Sequence, residues 1–234
     1  MKKRITVIAE AGHNHNGDIK KALELVHQAK EGGADVVKFQ LYDADIITRP
    51  GHMTYYWELK ATQLTRDQLA ILYAECQMLG IEFMVSVFDV ERVKWAEELG
   101  VDRYKLASSR INDEPLIKAI EATGKPIIAS LGKWESDTLP KIKGKVDYLY
   151  CVAKYPTLDE HLDAFPKKFN KIAGFSDHTI GTKWAKLAID RGAKIIEKHF
   201  TLDKKMYGTD HAGSCDLKDL KEIVMYAKGF TNNK

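Results

Sequence analysis

The sequence predicts an α/β protein, a single closed (β/α)8 TIM barrel spanning residues 1–234, and three observations carry that expectation. A rhythm of short apolar run, polar loop, amphipathic helix and glycine recurs eight times, which favours a closed barrel over an open sheet. The length, 234 residues, suits one large α/β domain able to bury most of its unfolded-chain surface. The first apolar run leads into Glu10-Ala11-Gly12-His13-Asn14-His15 and no G-x-G-x-x-G occurs, against an open doubly wound fold with its glycine-rich phosphate turn.

Strands are expected at Ile5–Glu10, Val36–Leu41, Phe83–Phe88, Arg103–Ala107, Pro126–Ser130, Tyr148–Ala153, Ile172–Ser176 and Lys194–Phe200, where short apolar, β-branched runs end in polar residues. Helices are expected at Ile19–Glu31, Arg66–Leu79, Val90–Leu99, Glu114–Ala122, Glu135–Ile142, Leu158–Phe169, Lys183–Arg191 and Leu217–Lys228. Several end in glycine before the next strand: Gly32-Gly33, Gly80, Gly100, Gly124 and Gly192. The connection Tyr42–Thr65 is long and carries Tyr55, Tyr56 and Trp57. It reads as a lid over the site or as a subunit contact.

Lys+Arg 36 against Asp+Glu 33 leaves a net charge of +3, too balanced to indicate a nucleic-acid partner. Cys76, Cys151 and Cys215 are odd in number and widely spaced. They form neither a disulfide framework nor a zinc knuckle, so a cytoplasmic location is expected. The basic start Met1-Lys2-Lys3-Arg4 is followed by an apolar run that stops at Glu10, too short for a signal peptide, and no stretch reaches membrane-spanning length.

Barrel chemistry belongs at the C-terminal strand ends. Lys38 and Lys105 lie inside the apolar runs Val36-Val37-Lys38-Phe39 and Tyr104-Lys105-Leu106. A buried lysine is costly unless it meets an anion. With Ser86, Ser108, Ser130 and Ser176 the two make a ring of donors suited to phosphate or carboxylate. The competing reading is an ion pair at the barrel end, Lys38 with Glu10. The last two strands form a strand–helix–strand unit, so they are parallel neighbours. His178 and His199 then leave one sheet edge side by side and can share a divalent metal; otherwise His178 is merely packed beside a capping Asp177. Mn, Fe, Co and Zn all suit imidazole, Mg less so. His13-x-His15 is similar to the pair of metal-dependent amidohydrolase barrels. Those barrels want further histidines after strands five and six, where this chain has Ala129-Ser130-Leu131 and Val152-Ala153-Lys154.

The chain resembles the sialic acid synthase family over nearly its whole length. The matching motifs are A-E-x-G-x-N-H-x-G at residues 9–17, V-V-K-F-Q at 36–40, Y-K-L-A-S at 104–108, Tyr155-Pro156-Thr157, G-x-S-D-H-T at 174–179 and I-I-E-K-H-F-T-L at 195–202. The resemblance implies a (β/α)8 barrel that condenses phosphoenolpyruvate with an N-acylated aldose to a 3-deoxy-2-keto sugar acid. It implies that His178 and His199 bind a divalent metal, Mn or Mg. Lys38, Ser86, Lys105, Ser108, Ser130 and Ser176 would hold phosphoenolpyruvate, and Gln40, Tyr155 and Asp210 would face the sugar. Glu10 would be the acid/base or water-orienting group. A homodimer is expected by analogy.

Three departures put the aldose half in question. Two positions beyond the strand-four serine, where the family usually carries an acid, stands Arg110. The often polar position two before Tyr155 is Ala153. The sequence ends at Lys234, so the expectation is a barrel without the family's C-terminal antifreeze-like domain, and a separate antifreeze-like domain protein is a candidate partner. Arg110 either meets an anion on the acceptor or turns outward to Asp113 or Glu114. Two other readings compete: a metal-dependent hydrolase using His13 and His15, and a non-catalytic relative that binds sugar acid or phosphoenolpyruvate.

Overall fold

A computed structural model describes residues 4–48 and 53–232. Eight parallel strands close on themselves in sequence order: β1 (Thr6–Gly12), β2 (Val36–Leu41), β3 (Glu82–Val87), β4 (Tyr104–Leu106), β5 (Ile127–Ser130), β6 (Val146–Cys151), β7 (Gly174–Asp177) and β8 (Ile195–His199). The described helices are α1 (Ile19–Glu31), α2 (Ala44–Ile47), α3 (Met53–Thr62), α4 (Arg66–Leu79), α5 (Val90–Leu99), α6 (Glu114–Ala122), α7 (Lys183–Asp190) and α8 (Leu217–Asn232). Among the described residues no helix is long and apolar enough to cross a membrane.

The helices turn apolar stripes to the sheet. Ala22, Leu25, Val26 and Ala29 of α1 are buried, as are Leu69, Leu72 and Cys76 of α4, the i, i+3, i+4, i+7 spacing of one helix face. Side-chain caps start several helices: Asp18 on α1, Asp89 on α5, Asp113 on α6, and a reciprocal Thr65–Gln68 pair on α4. Gly80 and Gly100 close α4 and α5 in the left-handed conformation, at φ 63° and 78°.

Inside the barrel, side chains alternate between the helices and the axis. Ile8, Val36, Met84, Ile128, Leu149 and Ile195 form one buried apolar layer. Two residues further along the same strands stand Glu10, Lys38, Ser86, Ser130, Cys151 and Glu197. An apolar plug thus carries a polar layer on its C-terminal side. The strand register supports this: Glu10 lies beside Lys38, Ser86 beside Lys105, and Ser176 beside Glu197.

Two expected helices are corrected. Glu135–Ile142 is not helical. The Trp134 indole N–H donates to Thr138 O at 2.6 Å, Thr138 N–H donates to Ser136 Oγ at 3.2 Å, and Pro140 has no N–H to give. In Leu158–Phe169 only a 3-10 turn forms, Asp159–Leu162, with Pro166 too close behind it for the turn to propagate. The Tyr42–Thr65 connection, by contrast, carries α2 and α3; its residues 49–52 lie outside the described ones.

Candidate active site

A cavity of about 390 Å³ opens at the C-terminal end of the strands. Of the residues singled out in the sequence, Glu10, Lys38, Gln40, Ser86, Lys105, Ser108, Ser130, Tyr155, Ser176, His178, His199 and Asp210 all line it. Phe88, Ser109, Lys133, Ala153 and Thr209 complete much of the wall, and Tyr55, two residues into α3, borders it from the long connection.

Its floor is a buried charge quartet. The Lys38 ammonium lies 2.5 Å from Glu10 Oε2 and 3.6 Å from Glu197 Oε2, and donates to Ser86 Oγ at 2.8 Å. The Lys105 ammonium lies 3.4 Å from Glu197 Oε1 and donates to Ser130 Oγ at 2.8 Å. Ser176 Oγ donates to Glu197 Oε1 at 2.8 Å, and the Gln40 amide donates to Glu10 Oε1 at 3.1 Å. The ion pair considered for Lys38 therefore forms, and within the cavity itself. Glu197 lies within the 195–202 motif, and the sequence alone assigns it no role. The signal for it is an acid on the inward parity of a buried strand, Ile195-Ile196-Glu197, two residues before His199.

Burial alone would neutralise these groups; their partners decide the outcome. Burial opposes the Lys38 charge, yet Glu10 and Glu197 hold its pKa above the ordinary lysine value. Lys105 is lowered, because burial and the like charge of Lys38 outweigh Glu197. Glu197, despite burial, is held down at about 2 by Lys105 and Lys38. Glu197 Oε2 is buried without a hydrogen bond, 3.6 Å from the Lys38 ammonium, whereas Glu10 Oε2 is taken up by that ammonium at 2.5 Å.

Beside the floor stand the paired imidazoles. The His178 and His199 rings are 5.3 Å apart, centroid to centroid, and the Tyr155 ring covers His178 at 4.2 Å. A metal about 2.1 Å from an imidazole nitrogen lies about 3.3 Å from that ring's centroid, so two rings sharing an ion sit at most about 6.6 Å apart. The observed spacing fits. His178 Nδ1 lies 2.8 Å from Val152 O, and a carbonyl only accepts, so this nitrogen carries a proton. Cys151, the Val152 carbonyl and Glu197 raise the His178 pKa against burial, and it is the neutral ring whose Nε2 has a lone pair for a metal. His199 Nδ1 is buried without a hydrogen bond, 3.3 Å from Asp210 Oδ2. Burial lowers the His199 pKa, although Asp210 works the other way, which favours the neutral ring that ligates metals. Among the described residues no group of three or more His, Cys, Asp and Glu side chains is arranged to hold an ion.

His13 also reaches the cavity wall, 3.6 Å from Asp210 and 3.8 Å from Glu58 of α3. His15 does not join it. Its ring packs against Phe39 and its Nδ1 accepts the Gly17 N–H at 3.1 Å, so the two do not form a hydrolase pair. Arg110 is absent from the lining residues. It sits 3.5 Å from Asp113, with its guanidinium 5.9 Å from the Phe88 ring centroid, which is the outward alternative.

Fold and cavity define a (β/α)8-barrel enzyme whose polar centre lies at the C-terminal strand ends. The sequence matches the NeuB family over residues 25–232. It is 37% identical over 248 residues to N,N'-diacetyllegionaminic acid synthase of Legionella pneumophila, covering 93% of this chain and 70% of that one. It is 31% identical over 243 residues to N-acetylneuraminate-9-phosphate synthase of Mus musculus, covering 93% and 68%. N-acetylneuraminic acid synthetase from Leptospira borgpetersenii, solved in complex with citrate, superposes with a TM-score of 0.87 at 29% identity, covering 99% of this chain and 85% of that one. The chain belongs to the NeuB family and is a sialic acid synthase-like transferase of carbohydrate biosynthesis.

Proposed function

We propose that the protein condenses phosphoenolpyruvate with an aldose, releasing phosphate and a 3-deoxy-2-keto sugar acid, with a divalent metal held by His178 and His199. The observation that carries this reading is the meeting, in one cavity, of the buried Lys38–Lys105 floor and the imidazole pair 5.3 Å across. Phosphoenolpyruvate carries about −2.5 to −3 near neutral pH. The two floor lysines are already matched by Glu10 and Glu197, so such an anion calls for further positive charge, and a divalent ion beside it meets that need.

The residues divide the work. Lys38 and Lys105, with the hydroxyls of Ser86 and Ser130, hold the carboxylate and phosphate and offset the charge that develops on them. Ser108 and Ser176 add hydroxyls to the same wall. Gln40, Tyr155 and Asp210 orient the aldose so that its aldehyde carbon faces the methylene carbon of phosphoenolpyruvate. A metal on His178 and His199 supplies Lewis-acid polarisation of the carbonyl oxygen. The new carbon–carbon bond joins the methylene to the aldehyde carbon. Water adds at the cationic C2, and Glu10 passes one of the water's protons to the aldehyde oxygen. The C2–O bond to phosphate then breaks, and the C2 hydroxyl proton leaves with the phosphate as the keto group forms. The products together account for phosphoenolpyruvate, aldose and one water.

Phosphate release from phosphoenolpyruvate with Mn and a panel of N-acyl hexosamines tests the reading. Release dependent on one aldose, and reduced roughly 10²–10³-fold in Lys105→Met, is expected. No release with any aldose would contradict it.

A further inference from the structure

We infer that Lys133 binds an anionic group, phosphate or carboxylate, on the acceptor, and so selects an acidic aldose; this rests on the condensing reading above. Lys133 stands three residues beyond Ser130, whose hydroxyl receives the Lys105 ammonium, and it lines the same cavity nearer the mouth. Gly132 ties this turn to the end of β6. A Cβ there would come within 2.9 Å of Cys151 Sγ and 3.2 Å of the Ala153 backbone nitrogen. The close approach is open to glycine and closed to larger residues, and it fixes where the next side chain leaves the wall.

The charges in the cavity are sorted by side. Of its three lysines, Lys38 and Lys105 are matched by Glu10 and Glu197. The remaining lining carboxylate, Asp210, faces His199 at 3.3 Å and His13 at 3.6 Å. The Lys133 ammonium has neither an ion pair nor a hydrogen bond among the described residues. Its neighbours on the β4–β6 side, Ala107, Ser109 and Ala153, offer no carboxylate or amide. Arg110, the other cation on that side, is engaged with Asp113.

The chemistry of that wall is one-sided. A sugar hydroxyl both donates and accepts, whereas an ammonium only donates. The group that complements a lone ammonium is one that only accepts and carries negative charge, such as a phosphate or a carboxylate. Lys133 is exposed, so its charge stays hydrated until the acceptor arrives. Its effect is therefore on acceptor choice more than on fold stability.

The test compares wild type, Lys133→Met and Lys133→Arg with matched acceptors: a neutral N-acyl hexosamine, its 6-phosphate and its uronate. The expected result is that Lys133→Met lowers the ratio of kcat/KM for an anionic over the neutral acceptor about tenfold, as for loss of one charge-assisted contact, and that Lys133→Arg restores most of it. The KM for phosphoenolpyruvate should stay within about twofold, since Lys105 and not Lys133 meets that ligand. An unchanged ratio, or a loss confined to the phosphoenolpyruvate KM, overturns the inference. If no aldose turns over, the condensing reading fails by itself. Calorimetric binding of the hexosamine and its 6-phosphate to wild type and Lys133→Met then decides the role of Lys133. Loss of a phosphate preference supports it, and equal affinities in both proteins overturn it.

Discussion

On the β1, β2, β4 and β8 side of the cavity, Glu10, Lys38, Lys105 and Glu197 are each no more than 5% exposed and each meets a charged partner. On the β5–β6 side Lys133 is exposed and unpaired, Ala153 offers no polar side chain, and neither connection holds an α-helix. The apolar plug lies under both sides, with Ile128 and Leu149 of β5 and β6 among its six residues. A change on the first side disturbs buried, paired charge. On the second, Trp134, Ile142 and Val152 pack against the core, but Lys133, Ser136 and Thr138 are exposed, and a change at these exposed positions costs little.

Breaking the floor should produce the largest effect. Glu197→Ala leaves Lys105 buried with no carboxylate at hand, and a stability loss of about 3–5 kcal/mol in urea unfolding is expected. A loss below about 1 kcal/mol would mean that the quartet does not act as a unit.

A second test uses acid. Burial, with His13 adding to it, pushes the His15 pKa down to about 4, whereas the unfolded ring takes its proton near 6.5. Below about 6.5 the unfolded chain therefore binds more protons than the fold. Stability is complete above that pH and falls on acidification, by about 2 kcal/mol at pH 5. His15→Gln, whose amide oxygen can accept the Gly17 N–H, should lose about 2 kcal/mol less than wild type between pH 7 and 5. Parallel curves would show that this burial is not felt.

The rim should give the smallest response. Ser136→Ala removes a turn hydrogen bond from an exposed segment and is expected to shift stability by less than about 0.5 kcal/mol. A large loss would erase the contrast between floor and rim.

The same contrast explains what the sequence disclosed. The eight strands are legible because Val36-Val37, Ile127-Ile128 and Ile195-Ile196 are short β-branched runs with no competing local bonds. Lys38 and Lys105 stand out as charges inside such runs, and the strand–helix–strand spacing brings His178 and His199 together. The rim was not legible. Ser136, Thr138 and Pro140 replaced an expected helix with side-chain-bonded turns. Arg110 is the last residue of a 3-10 turn, Ser108–Arg110, and its side-chain direction is set by Asp113 and Phe88 rather than by strand parity. Lys133 lies past the strand end, where no periodicity points it inward. Glu197 was visible, but its partners Lys38 and Lys105 come from distant strands, and only the closed barrel brings them within 4 Å.

The central claim is that the imidazole pair seats one divalent ion beside an anion held by Lys38 and Lys105. Its most direct test is Mn(II) binding followed by electron paramagnetic resonance, with and without phosphoenolpyruvate, on wild type and the folded His178→Ala and His199→Ala variants. One Mn per chain, bound more tightly with phosphoenolpyruvate and lost in both variants, is the predicted result. Mn bound equally by all three proteins, or indifferent to phosphoenolpyruvate, would contradict it.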